Sequence, residues 1–218
     1  MYHKVDIIQP TIWWVSPSAL ERQLDELGDR RFVFLEDYVS PATEVVLTFD
    51  DAFENVARHA LPLLRAARVP FEVFVIGDVI GAWNEYDHPE PLTRHMGLDH
   101  LDEVVASGGR VQWHTRTHRD LARLDDVEIE TELTVPEQLR ERYAAPNLTW
   151  LAYPGGSHDK RAVASARIAF AGAVSVITGE AGDRWQQNRI SVEESTTFST
   201  PYLSTPFEPL AQSGADGS

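Results

Sequence analysis

Residues 44–76 read EVVLTFDDAFENVARHALPLLRAARVPFEVFVI, and this stretch decides the class of fold. It opens and closes on short runs of β-branched and aromatic residues, EVVLTF and FEVFVI, which favour β-strands. Between them lies ENVARHALPLLRAARV, whose apolar residues recur at helical spacing. The order strand, helix, strand predicts two parallel strands with the helix packed outside them.

The same order continues along most of the chain. Further strands are expected at 111–113, 148–153, 173–177 and 189–192, and helices at 98–106, 127–143 and 160–169. This pattern predicts an α/β fold whose mostly parallel sheet either closes into a barrel or opens into a doubly wound sheet. In both cases active groups gather at the carboxyl ends of the strands. The 218 residues suit one domain, expected at 1–195, followed by a loop or tail at 196–218.

Composition excludes several classes of function. The 34 Asp and Glu residues outnumber the 19 Lys and Arg residues, and the formal net charge of −15 repels nucleic-acid phosphates and anionic lipid. No apolar run is long enough to span a membrane and no secretory signal is visible, so a cytoplasmic location is expected. The chain has no Cys, so a metal site would have to use His, Asp and Glu.

Two polar motifs follow predicted strands. Asp50 and Asp51 end the first strand, where they form either a simple turn or helix cap, or a pair in which one carboxylate binds a metal and the other acts as a base. His114 and His118 follow a later strand, and their four-residue spacing places both imidazoles on one side of a helical turn. One Asp and two His make a three-ligand site with a free position, which is typical of catalytic zinc.

A third motif follows the next strand. Residues 153–156 read YPGG, which is simply a turn in the plainest interpretation. A Gly N–H after a rigid Pro can also approach a reacting oxygen closely, so this turn is a candidate oxyanion donor.

These motifs resemble those of the polysaccharide deacetylase family, also called the NodB-homology or carbohydrate esterase family. TFDD at 48–51, HTRTH at 114–118 and YPGG at 153–156 are similar to its first three motifs. The likeness extends to MYHKV at 1–5, WNEYD at 83–87 and NRI at 188–190, and so covers about residues 1–195. It implies a single-domain distorted (β/α) barrel of parallel strands and outer helices.

The resemblance also implies an activity. One divalent metal, usually zinc and alternatively cobalt, nickel or manganese, would be held by Asp51, His114 and His118. Asp50 would be the general base, and the Gly155 N–H would help to hold the oxyanion. The implied reaction hydrolyses the N-acetyl group of an amino sugar, whether free, nucleotide-linked or in an oligosaccharide, and releases acetate and an amine.

The chain departs from the family pattern around the general base. Family members usually carry an Arg that holds the catalytic Asp two residues before the Pro of the third motif, where this chain has Ala152. Arg189, in the late strand, is the candidate replacement. Ala52 stands where Gly is common, a change that an ordinary backbone dihedral would tolerate.

The late Leu-x-His motif, which supplies the family's general acid, has no counterpart because no His follows His158. In order of preference, His3 or His158 replaces it, the amine takes its proton from water or Asp50, or the protein is catalytically weak. His3 is the residue we assign to the catalytic set.

Substrate contacts are expected from two loops and the third motif. Trp83 and Trp185 lie in predicted loops, where an aromatic face can stack on a sugar ring. The full set of expected substrate-binding residues comprises Trp83, Asn84, Asp87, Tyr153, Pro154 and Trp185.

Three functions remain open at this point. The first is the N-deacetylase, and the second is a non-catalytic carbohydrate-binding relative, motivated by Ala152 and the missing late His. The third is a hydrolase of another C–N bond, such as a formamide or cyclic amide. The expected partner is a small molecule or oligosaccharide, not nucleic acid or a membrane, and an oligomer is possible.

Overall fold

A computed structural model describes residues 1–180 and 182–198, so most of the expected tail lies outside the described residues. The strands are β1 (Lys4–Val5), β2 (Trp14–Val15), β3 (Arg31–Phe32), β4 (Glu44–Val45), β5 (Leu47–Phe49), β6 (Phe71–Val75), β7 (Gly109–Trp113), β8 (Trp150–Ala152), β9 (Gly172–Ser175) and β10 (Gln187–Asn188). The helices are α1 (Pro17–Glu26), α2 (Glu54–His59), α3 (Leu61–Ala67), α4 (Leu98–Ala106), α5 (Asp126–Leu133), α6 (Glu137–Arg142) and α7 (Lys160–Ala169). Among the described residues, no helix combines the length and the apolar character needed to cross a bilayer.

The central sheet runs in the order β5-β6-β7-β8-β9-β10, and every neighbouring pair is parallel. Helices connect most of these strands, as parallel crossovers require. The carboxyl ends of the strands therefore lie along one edge, where the double Asp, the His motif and the third motif all follow. The distorted (β/α) barrel predicted from the sequence is confirmed.

Residues 1 and 2 join the two edges of this sheet. Tyr2 forms a parallel bridge with Phe49, and the Asp50 N–H donates to the Tyr2 carbonyl at 2.8 Å. On the other side, the Val192 N–H donates to the Met1 carbonyl at 3.0 Å. The N-terminal segment thus lies between β5 and the residues after β10, which brings the next residue, His3, beside Asp50.

The strands are buried on both faces, as expected for parallel strands covered by helices. Alternate residues of β6, β8 and β9 form a small inner cluster with Leu35, to which no residue of the seven helices belongs. The larger core, which includes helix residues, contains Phe71, Val73, Val75, Leu151 and Ala173 of these strands. The members of the inner cluster are Leu35, Phe74, Trp150, Ala152 and Val174.

Proline explains two differences from the predicted helices. The stretch 54–69 divides into α2 and α3 because Pro62 lies in the first turn of α3, where its missing N–H is tolerated. The stretch 127–143 divides into α5 and α6 because Pro136 disfavours helical geometry at the residue before it. By contrast, α4 and α7 have the predicted bounds.

The end of the domain also differs from the expectation. The last strand is Gln187–Asn188 and not 189–192. Residues beyond the expected boundary at 195 still contact α1, because Gln23 Nε2 donates to the Thr196 carbonyl at 3.0 Å and the Phe198 N–H donates to Glu26 at 2.7 Å. The packed chain therefore continues at least to Phe198.

Candidate metal centre and catalytic residues

Three predicted ligands meet at the carboxyl ends of β5 and β7. The Nε2 atoms of His114 and His118 each lie 3.5 Å from Asp51 Oδ1, and the candidate ligand atoms all lie within 4.8 Å of one another. Ligands about 2.0–2.1 Å from a tetrahedral metal are about 3.3–3.5 Å apart, so the two Asp–His separations match a shared ion. The side chains are almost inaccessible at Asp51 and His114 and partly open at His118.

The His motif is a loop and not the predicted helical turn. Thr115 and His118 have φ values of 65° and 63°, in the left-handed region that non-glycine residues rarely adopt. Each such residue costs about 1–3 kcal/mol, which the surrounding contacts must offset. One of these contacts is the bond from the His118 N–H to Thr115 Oγ1 at 3.0 Å. The loop turns both imidazoles toward Asp51, with ring centroids 4.9 Å apart.

The chemistry of these donors fits a divalent cation. His114 Nδ1 lies 2.7 Å from the Ala152 carbonyl, which can only accept, so Nδ1 carries the proton and Nε2 is left with a free lone pair. Burial lowers the pKa of His114 to about 3, which keeps the ring neutral. Asp51 Oδ1 is buried and, among the described residues, has no hydrogen-bond partner. Burial, together with the charge of Asp50, raises the pKa of Asp51, so a cation would relieve an unfavourable site.

Asp50 is held by Arg189, the predicted replacement for the family Arg. The two guanidinium nitrogens Nη1 and Nη2 donate to Asp50 Oδ1 at 2.7 Å and Oδ2 at 2.6 Å, and Nη1 also donates to Thr48 Oγ1 at 3.2 Å. Burial alone would raise the pKa of Asp50, but the charge and hydrogen bonds of Arg189 hold it well below its usual range. The guanidinium lies over the ring of Phe74, in the inner cluster that includes Ala152. An Arg from the end of β10 thus reaches the Asp that family members hold from β8.

The backbone after the double Asp corrects one expectation. Ala52 has a φ of 54° and not an ordinary dihedral, and Asp51 before it has a φ of 66°. The Gly that is common in the family would adopt this conformation without strain, whereas Ala adopts it at a cost of about 1–2 kcal/mol. Its buried methyl group, in the main core cluster, offsets part of that cost.

Two residues near the ligands were missed in the sequence. His95 is 1% exposed, and its Nδ1 donates to the Asp51 carbonyl at 2.7 Å, which helps to hold the left-handed backbone there. Tyr86 packs against His118 and His95, with ring centroids 5.0 and 5.8 Å away. His95 has no partner at metal spacing in the sequence, and only the fold brings it to Asp51. Tyr86 lies within the WNEYD motif, which was the available signal for it.

The third motif presents Gly155 and turns Tyr153 away. Gly155 is exposed with a φ of 58°, and its N–H makes no hydrogen bond within the described part of the chain. Tyr153 belongs to the larger core, which includes helix residues. Its hydroxyl donates to the Trp185 carbonyl at 3.0 Å, and its ring stacks on His158. Pro154 is buried.

Trp185 packs against the same larger core, and its indole N–H donates to the Phe170 carbonyl at 3.0 Å. The Tyr153 hydroxyl and the Trp185 indole N–H are therefore engaged within the protein, and the expected sugar contacts of these two residues stay predictions. Strand alternation explains the direction of Tyr153, because Ala152 faces the barrel interior and its neighbour must face the helices.

The loop after β6 carries three of the expected substrate-binding residues, which differ in exposure and in the contacts they make. Asn84 is 1% exposed, and its amide accepts from the Thr93 N–H at 2.6 Å and donates to the Pro91 carbonyl at 3.2 Å, so it shapes the loop and leaves no group for a sugar. Asp87 lies 3.3 Å from the ammonium of Lys4. Trp83 is 53% exposed and keeps a free aromatic face.

The two candidate general acids lie in different surroundings. His3 is half-buried, and its ring meets Trp13 edge to face at 4.8 Å. Burial lowers the pKa of His3 to about 4, while the nearby Asp50 carboxylate opposes that shift. His158 instead lies 2.8 Å from the Gly156 carbonyl and 3.2 Å from Gln186 Oε1, and both its ring nitrogens are engaged there.

Comparison with known proteins identifies the family. A family model described as polysaccharide deacetylase matches residues 38–170. The chitooligosaccharide deacetylase of Bradyrhizobium sp. (strain ANU 289) is 31% identical over 122 residues, which are 51% of this chain and 49% of that protein. YxkH of Bacillus subtilis (strain 168) is 25% identical over 122 residues, 56% of this chain and 40% of its own length. The matches thus span half or less of these curated relatives.

Two solved structures share the fold. Streptococcus pyogenes deacetylase PplD superposes with a TM-score of 0.74 at 22% identity, covering 90% of this chain and 92% of that chain. IcaB from Ammonifex degensii gives a TM-score of 0.71 at 23% identity, covering 88% and 89%. Fold, motifs and family match lead to one conclusion: this chain belongs to the polysaccharide deacetylase family.

Proposed function

We propose that this protein is a metal-dependent hydrolase that removes the N-acetyl group from an N-acetylamino sugar. The observation that carries the proposal is a cluster of three side chains spaced to share one ion, beside a further carboxylate. The cluster is Asp51, His114 and His118, and the adjacent carboxylate is Asp50. A site that only bound metal would need no second buried carboxylate held by a bidentate Arg189.

A cation held by the three ligands would polarise the acyl carbonyl and acidify the attacking water. Asp50 is ionised at neutral pH, because Arg189 keeps its pKa low, and it is therefore free to accept the proton of that water. The N–H of Gly155, at the neighbouring strand end, makes no hydrogen bond within the described residues and donates to the acyl oxygen as negative charge develops on it.

The departing amine needs a proton, which we assign to a relay through His3. At neutral pH His3 is uncharged, so it can accept a proton at one ring nitrogen while donating from the other. The proton that Asp50 takes from water then passes through His3 to the nitrogen as the C–N bond breaks, and acetate keeps the oxygen of the water. His3 takes this role over His158, whose ring contacts Gly156 and Gln186 and stacks on Tyr153.

A neutral amino sugar suits the surroundings best. The net charge of −15 disfavours polyanionic polymers, and the half-exposed Trp83 offers a face for a pyranose ring. The Bradyrhizobium relative is named for chitooligosaccharide, which supports an N-acetylglucosamine unit.

Two observations argue against the non-catalytic alternative. It was based on Ala152 and on the missing late His, but Arg189 contacts Asp50 and His3 lies beside it. A hydrolase of another C–N bond would use the same groups, so only the substrate assay separates that alternative.

The experiment measures acetate release from N-acetylglucosamine and chitooligosaccharides by zinc-loaded protein, with formamide and cyclic amide substrates in parallel. D50N should lower turnover by about 10²–10⁴-fold while zinc stays bound. D51N, H114A and H118A should each lower bound zinc, whereas the exposed His88 provides a matched control, H88A. Full zinc occupancy in all three ligand variants, or turnover of the cyclic amides alone, would contradict the proposal.

A further inference from the structure

The loop that carries both His ligands, residues 114–118 (the His loop), is hydrogen-bonded to one residue of α5. This residue lies outside every motif that the sequence analysis identified. Glu132 lies in the last turn of α5 and is 3% exposed. Its carbonyl accepts from the Arg116 N–H at 3.0 Å and from the Trp113 indole N–H at 3.0 Å. Its carboxylate accepts from the Thr117 N–H at 2.8 Å and from the Thr117 hydroxyl.

These four bonds reach the segment that carries both imidazole ligands. A helix leaves its last carbonyls without internal partners, so the Glu132 carbonyl is free to hold the loop. The carboxylate bonds belong to the strong, charge-assisted class. Thr117 directly precedes His118, and the loop contains two left-handed residues, Thr115 and His118, whose conformation the surrounding contacts must stabilise.

We propose that Glu132 is a positioning residue of the metal centre: it holds the loop so that His114 and His118 face Asp51 before an ion arrives. The inference rests on the proposed metal site. Groups behind metal ligands that fix their orientation typically contribute about 10- to 100-fold to metal affinity. Glu132 acts through the backbone and side chain of Thr117, and the described contacts do not place it on an imidazole nitrogen.

Two substitutions separate geometry from charge. E132A removes the carboxylate and leaves the Thr117 N–H and hydroxyl without this partner, while the backbone carbonyl of residue 132 remains. In E132Q the amide oxygen accepts from the Thr117 N–H and the amide nitrogen donates to the hydroxyl, so the bonds remain and the charge is lost. The matched control is E130A on the same helix, since Glu130 is exposed and its side chain makes no hydrogen bond within the described residues.

The measurement is Zn²⁺ affinity by competition with a chelating dye, followed by thermal unfolding with and without zinc. We expect E132A to bind zinc about 10- to 100-fold more weakly than wild type, E132Q to lie between them and E130A to match wild type. A tenfold loss removes about 1.4 kcal/mol of zinc-induced stabilisation. A residue that only stabilised the fold would lower the unfolding temperature equally with and without zinc.

Native-state hydrogen exchange gives a readout without metal. The Thr117 amide, which donates to the Glu132 carboxylate, should exchange faster in E132A and keep its protection in E130A. If E132A does not fold, T117V is measured in its place, since it removes one hydroxyl from the same contact.

The outcomes separate the two proposals. Wild-type protein that binds no zinc overturns both the proposed function and this inference. Wild type that binds zinc while E132A, or T117V in its place, binds equally well overturns only the positioning role, as does an equal loss in E130A.

Discussion

Replacing Arg189 with Met tests how strongly the barrel depends on one buried ion pair. The side chains of Arg189 and Asp50 are 8% and 4% exposed, and two hydrogen bonds join them. Unit charges about 4 Å apart interact by about 4 kcal/mol at an effective dielectric constant of about 20. Breaking buried pairs typically costs about 3–5 kcal/mol, so we expect R189M to lower the free energy of unfolding by that amount. Met fills much of the space of Arg, which limits the cavity contribution.

Urea unfolding of the metal-free protein measures this loss. A cycle of wild type, R189M, D50N and the double variant should give a coupling energy of at least about 2 kcal/mol, because each single variant leaves a buried partner behind. The matched control is R116M. Arg116 Nε also lies 2.9 Å from both carboxylate oxygens of its partner Asp78, but the two side chains are 47% and 44% exposed. The control should lose about 1 kcal/mol or less. A loss in R189M no larger than in R116M, or additive single effects, would refute the reasoning.

Three further predictions concern stability. Burial raises the pKa of Glu72 above its ordinary value of 4.5, so the protonated form favours folding and its contribution is lost as pH rises through the folded pKa. The stability of E72Q relative to wild type should therefore increase as pH rises above 4.5, and parallel urea profiles against pH would contradict this. G155A should cost about 1–2 kcal/mol for its left-handed φ alone, whereas G156A should cost more in thermal unfolding, because a Cβ there would lie 2.9 Å from the Val176 nitrogen. N84A should cost about 1–3 kcal/mol of unfolding free energy, since it leaves loop backbone groups unpaired; a changed KM with unchanged stability would instead support a sugar contact.

The local sequence pattern predicted the helices well where no proline interrupts them. α4 matches because its apolar spacing lies within the segment itself, and α7 matches because Asp159 also caps its first turn. The long helices failed at Pro62 and Pro136, where ring geometry overrides an otherwise helical pattern. The pairing of Met1 and Tyr2 with both sheet edges lies beyond any such pattern, because its partners are distant in sequence.

Some residues of the site could likewise be predicted from the local sequence, and others could not. His114, His118 and one Asp of the adjacent pair were recognisable because their residue types and spacing suit one ion, and the family resemblance selected Asp51. The outward direction of Tyr153 could have been derived from strand alternation, since Ala152 must face the interior. Nothing local pointed to Glu132 or to the bond from His95 to Asp51, because the helix and loop that carry them are packed there only by the fold.

The sequence pattern alone therefore determined the α/β class, the strand ends that carry chemistry and the ion-binding candidates, since these depend on residue type and short-range periodicity. The choice of a barrel over a doubly wound sheet came from the resemblance to the deacetylase family. The tertiary structure decided which group holds Asp50, which candidate acid lies beside it and what shapes the His loop. Contacts such as Arg189 to Asp50 join residues 139 apart, and only closure of the barrel determines whether two such side chains meet.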